Sequence, residues 1–417
     1  MPSGHGSEEH SLLVLSNGHG EDVIAVAILR ALRDLAVGQG HDLPSIFALP
    51  LVGVGSAYAA AGVEVVGPTH TLPSGGFARQ SLGNLLMDLR EGLVALLVRQ
   101  AIALRRMSSR AALVVCVGDI LPLALSGCFV RRPTILVATA KSNYYCWGKS
   151  HHLRIEERLM RRFAQRVYAR DEPTAASLRS AGVKARWVGN AMMDCLDRTG
   201  EPIPIAHGRT VIGALPGSRE EAYANMAQIL GAVRLLGSRA GASTGYSLLV
   251  AAAPMLDTAR LAGVMAREGF AVEPDSARGR RDTGEAGLTL VARSPEGVEA
   301  RVYVGRFGDI VGLSDVVIGL AGTGNEQAVG MGKPVVSFPG GGSQFTPRFA
   351  LEQTRLLGEA VSLVSSAPEA ICAEVQDILG NVGRRDRMAR VGIDRMGPPG
   401  AAAAIAEAVL EELGRST

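Results

Sequence analysis

The chain has 417 residues, 47% apolar and 20% charged, a globular composition long enough for two domains of roughly 200 residues. Its formal charge of +3, with no basic run interleaved with stacking aromatics, argues against a nucleic-acid partner. Five scattered cysteines (Cys116, Cys128, Cys146, Cys195, Cys372) lack C-x-x-C spacing, which disfavours a disulfide framework or zinc site and points to a reducing compartment; no run reaches the roughly 18 to 20 apolar residues of a membrane span.

The polar leader MPSGHGSEEH is unlike a secretory signal. Residues 11–16 (SLLVLS) predict a buried strand, NGHGED a turn, and residues 23–35 an apolar-periodic helix. Strand, glycine turn and helix open a doubly wound domain, whose ligands gather at the carboxyl ends of the strands, so His19 is expected in that crevice. The turn is not G-x-G-x-x-G, and the dinucleotide fingerprint is therefore absent. Further strands are predicted at 45–49, 113–117, 134–138 and 166–169. A long helix over 81–107 places Leu82, Leu85, Leu86, Leu89, Leu93, Leu96 and Leu97 on one stripe, with Arg99, Arg105, Arg106 and Arg110 towards its end. It reads either as a core helix with a solvated basic end or as a surface that docks on anionic lipid. Asp119 follows the apolar run and Gly118, at the mouth of the crevice that holds His19. Its carboxylate can orient a histidine or accept a proton, or it can cap a helix before Pro122. Residues 149–170 carry Arg158, Arg161, Arg162, Arg166 and Arg170, a solvated helix face, and the proline- and glycine-rich GEPIPIAHGR after RWVGNAMMD is the best linker.

A second α/β unit begins with a strand at 210–214 and the turn LPGSREE, which feeds a helix. Ser218 adds a hydroxyl and Arg219 a guanidinium whose fork suits phosphate oxygens; the competing reading pairs Arg219 with Glu220 or Glu221. Strands follow at 247–252, 288–291, 301–304 and 316–318, with an exposed loop expected at 277–287. The stretch 320–345 then reads as a glycine turn (Gly322, Thr323, Gly324), a short helix with Asn325 and Glu326 in its first turn, a strand at 334–338 and a second glycine loop containing Gln344. Helix starts leave amides unpaired and carry partial positive charge, so a diphosphate is the natural guest, although an ordinary α/β scaffold produces the same pattern. An alanine-rich helix over 397–413 closes the chain after a Pro-Pro break.

With these residues in view, the chain resembles GT-B glycosyltransferases, and more closely lipid-A-disaccharide synthase and its related proteins. The likeness rests on YYCWGKS, WVGNAMMD, LPGSREE and AGTGNEQAVGMGKPVV, in that order. It implies two doubly wound Rossmann-like domains facing a central cleft: an acceptor-binding domain over 1–195, a nucleotide-sugar-binding domain over 205–395, and a closing helix over 396–417 that packs back on the first domain. It also implies an inverting transfer of a GlcNAc-type sugar from a UDP-sugar to a lipid-linked acceptor, in the cytoplasm or peripherally on the inner face of the plasma membrane, without metal or cofactor. By the same likeness Gly217, Ser218, Arg219, Gly322, Thr323, Gly324 and Asn325 surround the donor, Glu326 binds its ribose or sugar hydroxyls, and Gln344 touches the sugar. The acceptor side departs from the family: SNGHGED stands where the synthase reads approximately G-E-A-S-G-D, and ILPL replaces its P-D-F-N. SNGHGED is similar instead to the glycine-histidine turns of other lipid glycosyltransferases, where histidine is the base.

On this reading His19, or His19 with Asp119, removes the acceptor's proton; imidazole suits this because its unperturbed pKa is about 6.5. Two rivals stand: a UDP-sugar 2-epimerase, which shares the architecture, and a noncatalytic GT-B scaffold.

Overall fold

The computed structural model of the protein describes residues 11–69, 93–146, 150–196, 198–240, 245–273, 285–342 and 345–416. Gln344, residues 81–92 of the expected long helix, residues 277–284 of the expected loop and Trp147 to Lys149 of YYCWGKS lie outside them. The chain divides into two compact units, one comprising Met1–Cys195 and Pro398–Thr417, the other Leu196–Gly397.

In the first unit the elements run β1 (Ser11–Ser16), α1 (His19–Gln39), β2 (Ser45–Pro50), α2 (Ser56–Ala60), β3 (Glu64–Val65), α3 (Leu93–Met107), β4 (Ala111–Gly118), α4 (Ile120–Leu125), β5 (Thr134–Ala138), α5 (Arg154–Phe163), β6 (Arg166–Ala169), α6 (Glu172–Ser180) and β7 (Ala185–Arg186). The strands form one sheet in the order β3-β2-β1-β4-β5-β6-β7, and every pairing is parallel. Parallel strands covered on both faces read as continuous apolar runs, as SLLVLS and TILVA do, and both are buried throughout. The closing helix, Ala401–Ser416, packs on α1 and β4 of this unit. Its start is tied by Asp194, whose carboxylate accepts from the amides of Gly400 (2.5 Å) and Ala402 (2.7 Å).

Helix α1 starts four residues before the expected 23–35, at His19. Gly18 is extended and serves as the cap position, and Glu21 and Asp22 occupy the first turn, where carboxylates favour the positive helix end. The start of the apolar period therefore lagged the start of the helix. Helix α3 presents Leu96, Gln100, Leu104 and Met107 to the core, with the Gln100 amide donating to the carbonyls of Leu51 (3.0 Å) and Pro68 (3.3 Å). Its arginines Arg99, Arg105 and Arg106 are exposed, so its described part is a core helix with a solvated basic face.

The second unit contains β8 (Arg209–Leu215), α7 (Glu221–Arg239), β9 (Gly245–Ala252), α8 (Thr258–Arg267), β10 (Ala271–Val272), β11 (Leu288–Arg293), β12 (Glu299–Val304), α9 (Phe307–Leu313), β13 (Val316–Gly319), α10 (Gly322–Gly330), β14 (Val335–Ser337), α11 (Pro347–Leu357), β15 (Val361–Leu363), α12 (Pro368–Gly380) and α13 (Val382–Met396). Its sheet runs β10-β11-β12-β9-β8-β13-β14-β15. The pairings from β12 through β15 are parallel, whereas β10, β11 and β12 form an antiparallel edge that a purely doubly wound reading does not contain. Buried Arg306 anchors this end, with Nε donating to Asp309 at 2.7 Å while Asp309 also accepts from Thr199 Oγ1 at 2.8 Å.

No helix among the described residues is long and apolar enough to cross a membrane.

Candidate active site

Each sheet changes its winding direction at one place. In the first unit the chain runs outward from β1 through β2 and β3, then returns to build β4 to β7 on the other side, so the switch point lies at the carboxyl ends of β1 and β4. In the second unit it lies at the ends of β8 and β13. Ligands of open α/β sheets bind in the crevices that such points create.

At the first switch point Asn17 stitches the two strand ends together. Its backbone amide donates to Val117 O (3.3 Å), and its side-chain oxygen accepts from the amide of Asp119 (3.1 Å). A β-carbon on Gly118, which has φ +134°, would stand 2.2 Å from that oxygen, so the stitch requires glycine here. His19 is the first residue of α1 and is exposed. Asp119 caps α4, with Oδ1 accepting from Leu121 N at 2.7 Å. The helix-cap reading of Asp119 thus describes one of its oxygens, and the residue still stands at the crevice. His19 and Asp119 stand just beyond the carboxyl ends of the neighbouring strands β1 and β4.

Sequence reasoning passed over the carboxylates beside them. Asp22 is 1% exposed, and Ser16 Oγ donates to it at 2.6 Å while accepting from Tyr58 Oη at 2.7 Å. Burial pushes Asp22 up to about 6, with the Ser16 hydrogen bond and nearby His19 opposing the rise. Glu21 is also raised: burial dominates, its own backbone amide offsets part, the Asp119 and Asp22 charges add to the rise, and Arg170 opposes it. The signal for both residues was their place two and three positions after His19, but the hydrogen-bonded setting of Asp22 involves Tyr58, distant in sequence.

A small cavity of about 10 Å3, room for about one water, adjoins Asp119 at the ends of β4 and β5. Lys141, His152 and Glu156 line it. His152 is 7% exposed, and neither ring nitrogen has a hydrogen-bond partner among the described residues. Burial holds its pKa below the ordinary value and so favours neutral imidazole. Burial alone would raise Glu156, but the Lys141 ammonium at 2.6 Å and the Leu153 amide at 2.9 Å outweigh it and keep the carboxylate ionised.

At the second switch point the residues are of another kind. Gly217 follows β8 with φ +108°, then Ser218 and Arg219 stand exposed before α7. Arg219 makes no ion pair or side-chain hydrogen bond among the described residues; Glu220 pairs with Arg260, which lies over the Tyr223 ring at 3.9 Å. Gly322, Thr323 and Gly324 prove to be the first turn of α10 itself, which has neither a side-chain cap nor an acidic residue. Glu326 consequently falls in the second turn rather than the first, and is 9% exposed. Asn325 is fully buried; its amide donates to Gly319 O (3.0 Å) and Gln353 Oε1 (2.8 Å), while Gln353 donates to Gly322 O (2.9 Å). Asn325 therefore positions α10 on its strand, a role that the sequence pattern did not separate from ligand contact.

The glycine loop after β14 packs on the start of α7. A β-carbon on Gly340 would lie 3.1 Å from Asn225 Oδ1, and one on Gly342 would lie 2.6 Å from the Glu221 side chain. Asn225 donates to Pro216 O at 2.9 Å. The turn after β8, the start of α10 and this loop thus lie together at the strand ends, where the candidate residues Gly217, Ser218, Arg219, Gly322, Thr323 and Gly324 stand. Among the described residues, no three His, Cys, Asp or Glu side chains are grouped to hold a metal ion.

No protein-family model matches the sequence, and no curated protein matches it. Solved structures do match the fold. The UDP-GlcNAc 2-epimerase of Neisseria meningitidis bound to UDP-GlcNAc is 14% identical, covers 96% of this chain and 100% of its own, and has a TM-score of 0.54. The S. aureus protein MnaA, solved with UDP, is 13% identical over 97% of each chain, with a TM-score of 0.57. CalG4, the calicheamicin glycosyltransferase, is 17% identical over 98% of this chain and 99% of its own, with a TM-score of 0.54. The fold is that of these GT-B proteins, with two Rossmann-like domains.

Proposed function

We propose that the protein is a UDP-sugar enzyme, and that it transfers the sugar with inversion to a hydroxyl of a lipid-linked acceptor. The observation that carries the donor assignment is Arg219, exposed and without an ion pair among the described residues, at the switch point where α10 starts with an uncapped first turn. The fold's likeness to proteins solved with UDP and UDP-GlcNAc supports the same donor. In the second unit the amides of Gly322, Thr323 and Gly324 and the Arg219 guanidinium take up the negative charge of the departing UDP. In the first unit His19 accepts the acceptor's hydroxyl proton. The freed oxygen forms a bond to the anomeric carbon as the bond to the diphosphate breaks, the electron pair leaving with UDP.

A 2-epimerase is the second reading, favoured by the fold of the Neisseria enzyme and by the carboxylates Glu21, Asp22 and Asp119 clustered in the first unit. Incubation with UDP-GlcNAc, with and without membrane lipid extract, separates the two. Transfer releases UDP in step with a glycosylated lipid. Conversion of UDP-GlcNAc to its C2 epimer without acceptor would establish the second reading instead, and failure to bind any uridine nucleotide would reject both.

A further inference from the structure

Another concavity of the first unit lies away from the residues described above. It is a groove of about 710 Å3 where the chain enters β6 and β7. In a parallel sheet all strands start at one edge and finish at the other, so this groove is at the opposite end of the sheet from Asn17, His19 and Asp119.

Five cations, Arg166, Arg179, Lys184, Arg186 and Arg415, line the groove against one carboxylate, Glu412. The whole chain is nearly balanced, with 43 basic and 40 acidic residues, so the local excess is not a sample of the average surface. Glu412 is shared between Arg166 (3.1 Å) and Arg415 (2.8 Å), and Arg166 also reaches Glu411 (3.0 Å). Arg179 pairs with Glu172 at 2.5 Å, with both side chains nearly half exposed. Such exposed pairs contribute little, so Arg179 can be recruited by a stronger anion. Lys184 and Arg186 are exposed and have no ion pair among the described residues.

We infer that this groove binds a soluble ligand carrying two or more phosphates. Four guanidinium forks match phosphate oxygens in pairs, and the volume falls within the range of small-molecule sites. No aromatic side chain lines the groove to stack a base, which disfavours single-stranded nucleic acid. None of the large exposed apolar residues belongs to the lining, so there is no anchor for insertion into a bilayer. The ligand is therefore recognised by charge and phosphate geometry.

The test is calorimetric titration of the full chain with tripolyphosphate, at low and raised ionic strength. The comparison set is the Lys184→Gln/Arg186→Gln double variant, the charge-retaining Lys184→Arg/Arg186→Lys variant, and Arg219→Ala. The expected result is a binding event that weakens on the order of tenfold in the double variant and with salt, survives the charge-retaining exchange and persists in Arg219→Ala, while any second event that Arg219→Ala weakens belongs to the nucleotide site. Absence of binding would overturn the inference. So would binding that Arg219→Ala removes and the double variant leaves intact, since that anion would then occupy the nucleotide site alone. Co-sedimentation with phosphatidylglycerol vesicles without tripolyphosphate binding would move the surface from a soluble ligand to a lipid headgroup and reject the assignment.

Discussion

The two sheets change winding direction in the same topological way, yet their switch points carry opposite chemistry. In the first unit the leading helix, α1, has two carboxylates in its own first turn, Glu21 and Asp22, with Asp119 nearby. Its positive end is thereby occupied by the protein's own negative charge. In the second unit the first turn of α10 has no acidic residue, and Arg219 stands beside the same switch point with Glu220 drawn away to Arg260. That end is left for an external anion. On the proposed function, one fold thus makes a site that moves protons and a site that holds phosphate, and the difference lies in which residues occupy the first helical turn.

The sharpest break of this comparison is His19→Ala. If the first unit supplies the base, turnover falls by about 10²- to 10⁴-fold while UDP affinity stays within about twofold. Steady-state kinetics with parallel calorimetry reads both quantities. Unchanged turnover would shift the base to one of the carboxylates.

Asp22 supplies the next largest effect, on stability. Its folded pKa of about 6 lies above the unfolded value of about 3.9, so between these values the folded chain binds more protons than the unfolded one. The contribution to stability is fully present below about pH 4 and is lost as pH rises through about 6, a change of about 3 kcal/mol. Other carboxylates run the opposite way: Glu296, which Arg234 holds down at about 2, contributes stability above the unfolded value and loses it as pH falls towards 2. The difference between wild type and Asp22→Asn isolates the first effect. Wild type should lose about 2 kcal/mol relative to the variant from pH 4 to pH 7, as followed by denaturant unfolding at each pH. A flat difference would mean that Asp22 does not titrate in this window.

What could be read from the sequence divides along the same line. The central strands were legible because residues buried on both faces leave unbroken apolar runs, and SLLVLS and TILVA have the expected bounds, whereas the short outer strands β3, β7, β10 and β15 carry no such run and were not expected. Also legible was the glycine-rich character of the second switch point, which is a local property of LPGSRE and AGTGNE. The polar core was not legible. Asp22 reads as a turn residue until Tyr58 closes over it through Ser16, and Asn325 reads as a ligand residue until Gln353 and Gly319 claim its amide. Neither partner is within reach of a motif. His152 escaped notice for the same reason, since its isolation becomes visible only with the cavity that Glu156 and Asp119 frame. Helix starts failed for a different reason: glycines 322 and 324 look like a loop, but a helix accepts them in a first turn where little side-chain packing is needed.

Arg219→Ala tests the other half of the comparison. Removing one charge-assisted contact to a diphosphate should weaken UDP by about 10- to 100-fold. Thermal unfolding should move little, because the side chain is exposed and makes no ion pair among the described residues. Equal binding by wild type and variant would remove the main support for a nucleotide in the second unit.

The smallest effects come from glycines at the ends of the central strands, and they compare the two sites at one carbon atom. Gly118 and Gly217 both have positive φ, at +134° and +108°. A side chain strains either position, by about 1 kcal/mol or more. At Gly118 the added carbon also meets Asn17 Oδ1 at 2.2 Å, so Asn17 must move and release the amide of Asp119. At Gly217 the nearest atom is Leu320 O at 3.5 Å, an ordinary contact. Gly118→Ala should therefore exceed Gly217→Ala by about 1 kcal/mol, the worth of one hydrogen bond. A chain of two units need not unfold in one step, so hydrogen exchange of the β1 and β8 amides is the suitable measurement. Gly118→Ala should speed exchange in β1 and leave β8 unchanged, and Gly217→Ala should do the reverse more weakly. If both variants perturbed their strands equally, the Asn17 stitch would carry no weight, and the first site would owe its shape to the strand ends alone.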